Sequence, residues 1–215
     1  PNDPMDDLAL RNGAPVFNGT QFVPAAGAAV GTVQALAYGG REGGVNKPDV
    51  AYVATFDFGT ASSGKFFVRQ DAAGSFVEID SWRTGAPGGD RIKGMVLNPE
   101  DWRRFYVIDA NSRVWRGLLT PGAAPTVAWT EITGDLGSLV LVGGRETEVA
   151  SIELFFDGKG TASTADDTEV LLVGGWGGVF RAINPGSSGE WTELGQGLPN
   201  VLVTSLEYNA QDDIL

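Results

Sequence analysis

The feature that most constrains this chain is a pattern that returns four times. Residues 33–38 (Val-Gln-Ala-Leu-Ala-Tyr), 92–97 (Ile-Lys-Gly-Met-Val-Leu), 149–154 (Val-Ala-Ser-Ile-Glu-Leu) and 203–208 (Val-Thr-Ser-Leu-Glu-Tyr) each place a β-branched residue first, a small one third, an aliphatic one fourth and a large apolar one sixth. Their starts are 59, 57 and 54 residues apart. Behind the first three copies the same motifs follow in the same order. An apolar strand comes first (residues 50–55, 105–109 and 170–174), then an apolar pair ending in arginine (Phe67-Val68-Arg69, Val114-Trp115-Arg116, Val179-Phe180-Arg181). An aromatic-led strand closes each unit (residues 76–79, 129–132 and 191–194).

Each unit therefore reads as four short strands. Val, Ile, Phe, Tyr and Trp fill them, and clusters of Gly, Pro, Asn and Asp separate them, as antiparallel hairpins require. Glycine supplies 31 of 215 residues, about twice the ordinary share, while the 42% apolar content is enough to build a core. No stretch of eleven residues or more carries a helical period, although residues 101–104 could make one turn. Four-stranded units of about fifty residues predict an all-β chain of β-propeller type, with the first strand of each blade innermost and Val33, Ile92, Val149 and Val203 lining one channel.

Residues 6–10 (Asp-Asp-Leu-Ala-Leu) resemble residues 212–215 (Asp-Asp-Ile-Leu), and Val16-Phe17 with Phe22-Val23 resemble third and fourth strands. The expected division is thus strands two to four of a first blade in residues 1–32, blades in 33–91, 92–148 and 149–202, and the first strand of a further blade in 203–215. That is about four blade equivalents. The expectation is a segment of a larger propeller, completed by other parts of the same longer protein or by another polypeptide; closure in four blades through the N-terminal strands is the alternative.

Absent residue types narrow the chemistry. With neither cysteine nor histidine, the chain has no disulfide, no thiolate metal site, no Ser-His-Asp triad and no histidine base. A net charge of −12 argues against nucleic-acid binding, which depends on Lys and Arg at phosphates. The longest apolar run, around residues 138–142, is strand-sized and far below the roughly 20 residues of a bilayer span.

The run Gly177-Gly178-Val179-Phe180-Arg181, Trp191-Thr192-Glu193-Leu194, Gly197-Leu198-Pro199-Asn200 and then residues 203–208 resembles the Asp-box or BNR-type propeller repeats of sialidases, sortilin-like receptors and xyloglucanases. Asp71-Ala72-Ala73-Gly74-Ser75-Phe76 is similar to their Asp-box turn with glycine one place late; Asn184-Pro185-Gly186 is a weaker copy, and residues 118–129 have lost it. The resemblance implies a fold. In the family that turn is structural and faces away from the active site.

In such an architecture the turns between strands two and three and the connections from strand four to the next strand one share one face. Asp57, Phe58, Trp82, Arg83, Asp90, Arg91, Asn111, Arg113, Asp135, Arg145, Glu146 and Trp176 fall there. Trp82 and Trp176 could stack on a sugar or a partner's side chain, against the plainer reading that their rings pack between blades. Arg83, Arg91 and Arg145 resemble the sialidase clamp on a carboxylate, but the family's Arg-Ile-Pro motif and Tyr-Glu pair are absent, so solvated loop arginines are the plainer expectation. Trp82, Arg83, Arg91, Arg145 and Trp176 are the candidate ligand-binding residues, and no catalytic residue is assigned. Asp57, Asp90, Asp109 and Asp135 are the carboxylates available for glycoside cleavage.

The insertion from Asp157 to Glu169 gathers Asp157, Asp166 and Asp167, a candidate calcium site, but EF-hand spacing is missing and Lys159 opposes the charge, so a solvated acidic turn is the plainer expectation. No other cofactor is expected. Asn18-Gly19-Thr20 is a glycosylation sequon, relevant only on a eukaryotic secretory route. Acidity, few lysines, no cysteine and the BNR resemblance point instead to an exported bacterial protein, extracellular or on the cell surface. The expected function is a non-catalytic binding or scaffold module that engages protein or glycan through one loop face. A glycoside hydrolase of sialidase or xyloglucanase type is the alternative.

Overall fold

The structure, a computed structural model, describes residues 16–17, 22–23, 31–57, 64–142, 145–146, 148–157, 167–186, 189–194 and 201–208. The elements run β1 (Val16–Phe17), β2 (Phe22–Val23), β3 (Thr32–Tyr38), β4 (Arg41–Glu42), β5 (Val45–Asn46), β6 (Ala51–Phe56), β7 (Lys65–Arg69) and β8 (Val77–Glu78). After helix α1 (Ser81–Thr84) come β9 (Ile92–Leu97), β10 (Arg104–Asp109), β11 (Val114–Thr120) and β12 (Thr126–Glu131). Helix α2 (Leu136–Leu139), β13 (Leu141–Val142), β14 (Arg145–Glu146), β15 (Val149–Asp157), β16 (Thr168–Gly175), β17 (Gly178–Ile183) and β18 (Thr192–Glu193) complete the described set.

The chain is all-β, and its strands join in order of sequence. β3-β6-β7-β8, β9-β10-β11-β12 and β15-β16-β17-β18 are three four-stranded antiparallel meanders; β1-β2, β4-β5 and β13-β14 are separate hairpins. The two helices are single turns in the connections that lead toward the next sheet. Residues 101–103 form a turn leading into β10 rather than a helix, and Asp101 bridges to Glu42. Thr168 and Glu169, expected in an insertion loop, are the first two residues of β16.

The small third residue of the repeated pattern has a structural cause. In all three sheets the first strand slips register at one place: Val33 and Ala35 pair with the consecutive Thr55 and Ala54, Ile92 and Gly94 with Asp109 and Ile108, and Val149 and Ser151 with Gly175 and Gly174. Gln34, Lys93 and Ala150 are the extra residues of these bulges. A Cβ on Gly94 would stand 3.1 Å from Ile152 of the next sheet, so this position is kept small by close approach of the neighbouring first strand. β3 packs beside β9, and β9 beside β15.

Sheets with two apolar faces bury both only when stacked. β10 shows this directly, because Phe105 and Val107 enter the core shared with the first sheet while Tyr106 and Ile108 enter the core shared with the third. The first interface is aromatic: Tyr52 and Phe105 have ring centroids 4.8 Å apart, Phe66 and Phe105 5.3 Å, and Trp82 and Trp129 4.8 Å. The second is built from Leu171, Val173, Phe180 and Trp191 against Tyr106, Ile108 and Val114.

Polar ties cross both interfaces. The Tyr52 hydroxyl donates to the Trp102 carbonyl at 3.0 Å. Buried Glu169 accepts from the Tyr106 hydroxyl at 2.6 Å, from Arg104 at 3.0 Å and from Asn98. Burial first, and then the Glu169 carboxylate, push the Tyr106 phenol well above its ordinary range, so it remains a protonated donor.

Residues 201–208 lie against the outer side of the third sheet without a strand ladder among the described residues. The Val203 N–H donates to the Gly175 carbonyl at 3.0 Å, and the Tyr208 ring meets Phe155 edge-on at 5.0 Å. Ile92 and Val149 are buried, and Val33 and Val203 half-buried. Glu153 sits under this segment; burial, and then Glu207, raise its carboxyl above the ordinary glutamate value. A raised folded-state value contributes stability below the unfolded value that is lost as pH rises through the folded one. Glu153→Gln is therefore expected to melt higher than wild type near pH 7 and at the same temperature near pH 3, where both side chains are neutral. Equal melting curves near pH 7 would contradict this.

Candidate binding face

The turns from second to third strands and the connections that follow fourth strands supply the candidate residues. The turn after β10 is fixed by Asp109, fully buried at the end of its strand. One carboxylate oxygen accepts the backbone N–H groups of Asn111 and Arg113 at 2.9 and 3.0 Å; the other accepts Arg113 Nε at 2.7 Å and the Trp115 indole at 3.0 Å. Four donors satisfy this acceptor-only group.

Arg113 extends the network. Its Nη2 donates to the Pro87 carbonyl at 3.1 Å and to the Asp90 carboxylate, which also accepts the Asn111 amide at 2.8 Å. The guanidinium lies 5.0 Å from the Trp115 ring centroid. One arginine thus ties together Asp90 and Asp109, and neither carboxylate stands alone opposite the other as an acid–base pair requires. The sequence carried a signal for this unit: Asp109, Asn111 and Arg113 alternate along a tight turn in the manner of an Asx motif closed by a cation.

Trp82 is not on the face. Helix α1 turns its ring into the core, fully buried beside Trp115 and Trp129, and its indole N–H donates to the Asp90 carbonyl at 2.9 Å. The Gly-rich connection bends around the ring, so packing between sheets explains it. Arg83 pairs with Glu78 at 3.1 Å and Asp80 at 3.2 Å. Asp135 accepts the Trp191 backbone N–H at 2.9 Å and so joins two sheets.

Arg91 lies where its charge acts on Glu148, whose carboxyl is held below the ordinary range mainly by its hydrogen bond from Lys93. The Arg91 carbonyl accepts the Ala110 N–H at 2.8 Å. Arg145 and Glu146 pair through their backbones with Val142 and Leu141. Asp57 follows β6 and is exposed. Phe58 lies outside the described residues, as does Asn18.

Trp176 is different. It occupies the two-residue turn between Gly175 and Gly178, which pair with each other, and it is 52% exposed. Gly178 has φ +110°, a conformation the turn requires and an L-residue rarely adopts. A Cβ on Gly175 would strike the Glu148 carbonyl at 2.5 Å, so the turn is pressed onto the neighbouring connection. An indole flanked by glycines on a closely packed hairpin is presented with little conformational freedom to lose.

At the opposite end of the third sheet, Asp157 closes β15 and pairs in register with Thr168, and Asp167 immediately precedes β16. Asp166 lies outside the described residues. Among the described residues no group of three or more acidic side chains is placed to hold a metal ion, and no helix is long and apolar enough to cross a membrane. In the turn after β7 the Asp71 carboxylate accepts the Ala73 N–H at 2.9 Å.

In comparisons with protein-family models, curated proteins and solved structures, the chain matches none of them.

Proposed function

We propose that this chain is a non-catalytic binding or scaffold module, its three meanders being blades of a β-propeller, and that it engages a protein or glycan through the face that carries Trp176. The observation that carries this reading is the contrast on that face between an exposed indole and carboxylates already occupied. Asp90 and Asp109 are joined by Arg113, and Glu148 is joined to Lys93. Flat aromatic surface beside neutralised polar groups suits recognition. The glycoside hydrolase alternative needs two carboxylates facing each other across a cleft, and Asp90 and Asp109 are instead held on one guanidinium.

The test is a glycan array beside a panel of chromogenic glycosides, with capture of protein partners in parallel. Trp176→Ala is expected to weaken binding about tenfold or more without lowering the melting temperature, as loss of a central aromatic anchor does. Glycoside turnover abolished by a single Asp or Glu substitution would replace this reading with the enzymatic one. The acidic composition and the absence of cysteine fit an exported, surface-associated setting.

Calcium, where it binds, belongs to the insertion bearing Asp157, Asp166 and Asp167, because a divalent ion relieves carboxylate repulsion there. Titration calorimetry tests this: heat with the wild type and none with Asp166→Ala places an ion there, with the melting temperature changed little by chelator, whereas no heat in either protein leaves an ordinary acidic insertion. Heat that persists in the variant would place the ion elsewhere.

A further inference from the structure

The slipped first strands place three extra residues, Gln34, Lys93 and Ala150, at the same point of their sheets. They act differently. The Gln34 amide donates to the Thr32 and Val33 carbonyls of its own strand, at 3.2 and 3.3 Å, and the Ala150 side chain has no polar group. Lys93 instead crosses to the next sheet, where Nζ donates to the Val149 carbonyl at 2.6 Å and to the Glu148 carboxylate. The lysine side chain is only 13% exposed, so water screens these contacts little.

The second sheet reaches Val149 a second time. Ser112, in the turn between β10 and β11, accepts the Val149 N–H on its hydroxyl at 3.1 Å. Its φ of +60° lies in the left-handed region, which a residue other than glycine keeps only when its surroundings hold it there. Here they do. The Ser112 N–H donates to the Asp109 carbonyl at 3.1 Å, and the Asp109 carboxylate takes the N–H groups on either side, those of Asn111 and Arg113. Side chains of the second sheet thus hold both the N–H and the carbonyl of Val149.

The Trp176 turn is seated on that residue. Gly175 pairs with Val149, and a Cβ on Gly175 would stand 2.5 Å from the Glu148 carbonyl and 3.2 Å from the Val149 Cα. Beyond the indole, a Cβ on Gly177 would stand 3.6 Å from the Val140 Cα, just past helix α2. The backbone on both sides of Trp176 therefore lies against residues 148–149 and 140.

We infer that Lys93 and Ser112 are positioning residues for Trp176: by fixing Glu148 and Val149 from the second sheet, they hold the seat of the Gly175–Gly178 turn and with it the orientation of the exposed indole. The inference rests on the reading of Trp176 as the binding residue and adds that the neighbouring sheet controls its presentation. An anchor ordered in advance loses less freedom when a partner arrives.

Backbone nitrogen relaxation of the protein without ligand tests this. Order parameters at Gly175, Trp176 and Gly177 are expected near 0.85, the rigid-backbone value, in wild type and in Lys93→Arg, and are expected to fall to about 0.6 in Lys93→Met. Those of β10 and β11 are expected to stay unchanged. Ser112→Gly, which removes the hydroxyl at a backbone angle glycine accepts, is expected to loosen the same three residues and carries the test should Lys93→Met fail to fold. A turn as rigid as wild type in both variants would overturn the inference. So would a loss spread evenly over all three sheets, which marks general loosening. No ligand enters the measurement, so the glycan array and partner capture decide the binding reading and the rigidity of the turn decides this one.

Discussion

Asp109→Ala is expected to lower the folding stability by about 3–5 kcal/mol, since it leaves the buried Trp115 indole and two turn N–H groups without their acceptor and removes one of the two carboxylates that hold Arg113. The carboxylate is fully buried and is the common acceptor for Arg113, Trp115 and two backbone N–H groups of the following turn. Its loss releases the turn, the guanidinium and, through Arg113, the contacts to Asp90 and Pro87. For a chain of this size the drop corresponds to about 10 °C in melting temperature. Asp109→Asn keeps the shape and one strong acceptor and is expected to fall between the two. Thermal melts of the three proteins at one pH check this, and an Asp109→Ala melting curve within about 2 °C of wild type would show that the network does not hold the turn.

Trp82→Ala is expected to cost about as much, roughly 3–5 kcal/mol, by a different route. The indole is fully buried between the first two sheets, edge-on to Trp115 and Trp129, and its N–H is bonded to the Asp90 carbonyl. Truncation leaves a cavity walled by aromatic rings that cannot collapse into it, and leaves a carbonyl without its donor. Trp82→Phe fills part of the space and is expected to recover about half of the loss. Urea denaturation measures both. A Trp82→Ala protein of wild-type stability that had lost ligand binding would return Trp82 to the binding face and contradict its assignment to the core.

These two residues mark where sequence and structure part. The strands were legible because a half-buried pleat demands alternation and a doubly covered strand such as β10 demands an unbroken apolar run. The small third position was legible as crowding, although not as a bulge, since the pairing partner needed to reveal a slipped register lies elsewhere in the chain. Trp82 and Trp176 look alike in sequence, each an indole near glycines. What separates them is three-dimensional: α1 turns one ring inward beneath β12, while the Gly175–Gly178 pair holds the other out.

Glu169 shows the same limit. It closes an acidic stretch and reads as solvated, yet one residue of strand register aims it at Tyr106, Arg104 and Asn98 of the adjoining sheet. The partnership of Arg113 with both Asp90 and Asp109 was only half visible. Asp109 and Arg113 are close in sequence, but Asp90 is brought to them by the connection from the preceding sheet.

The proposed propeller is a radial arrangement of sheets around one axis, which would give the chain a single loop face. Nitroxide labels on cysteines at Ala72, Ala123 and Gly186, exposed positions in the outermost turns of the first, second and third sheets, measure it by pulsed electron spin resonance. In a ring of four equivalent blades the two neighbouring distances are equal and the distance from 72 to 186 is about 1.4 times larger. A ratio near 2 would mean a linear stack of sheets with no common axis, and would contradict the account.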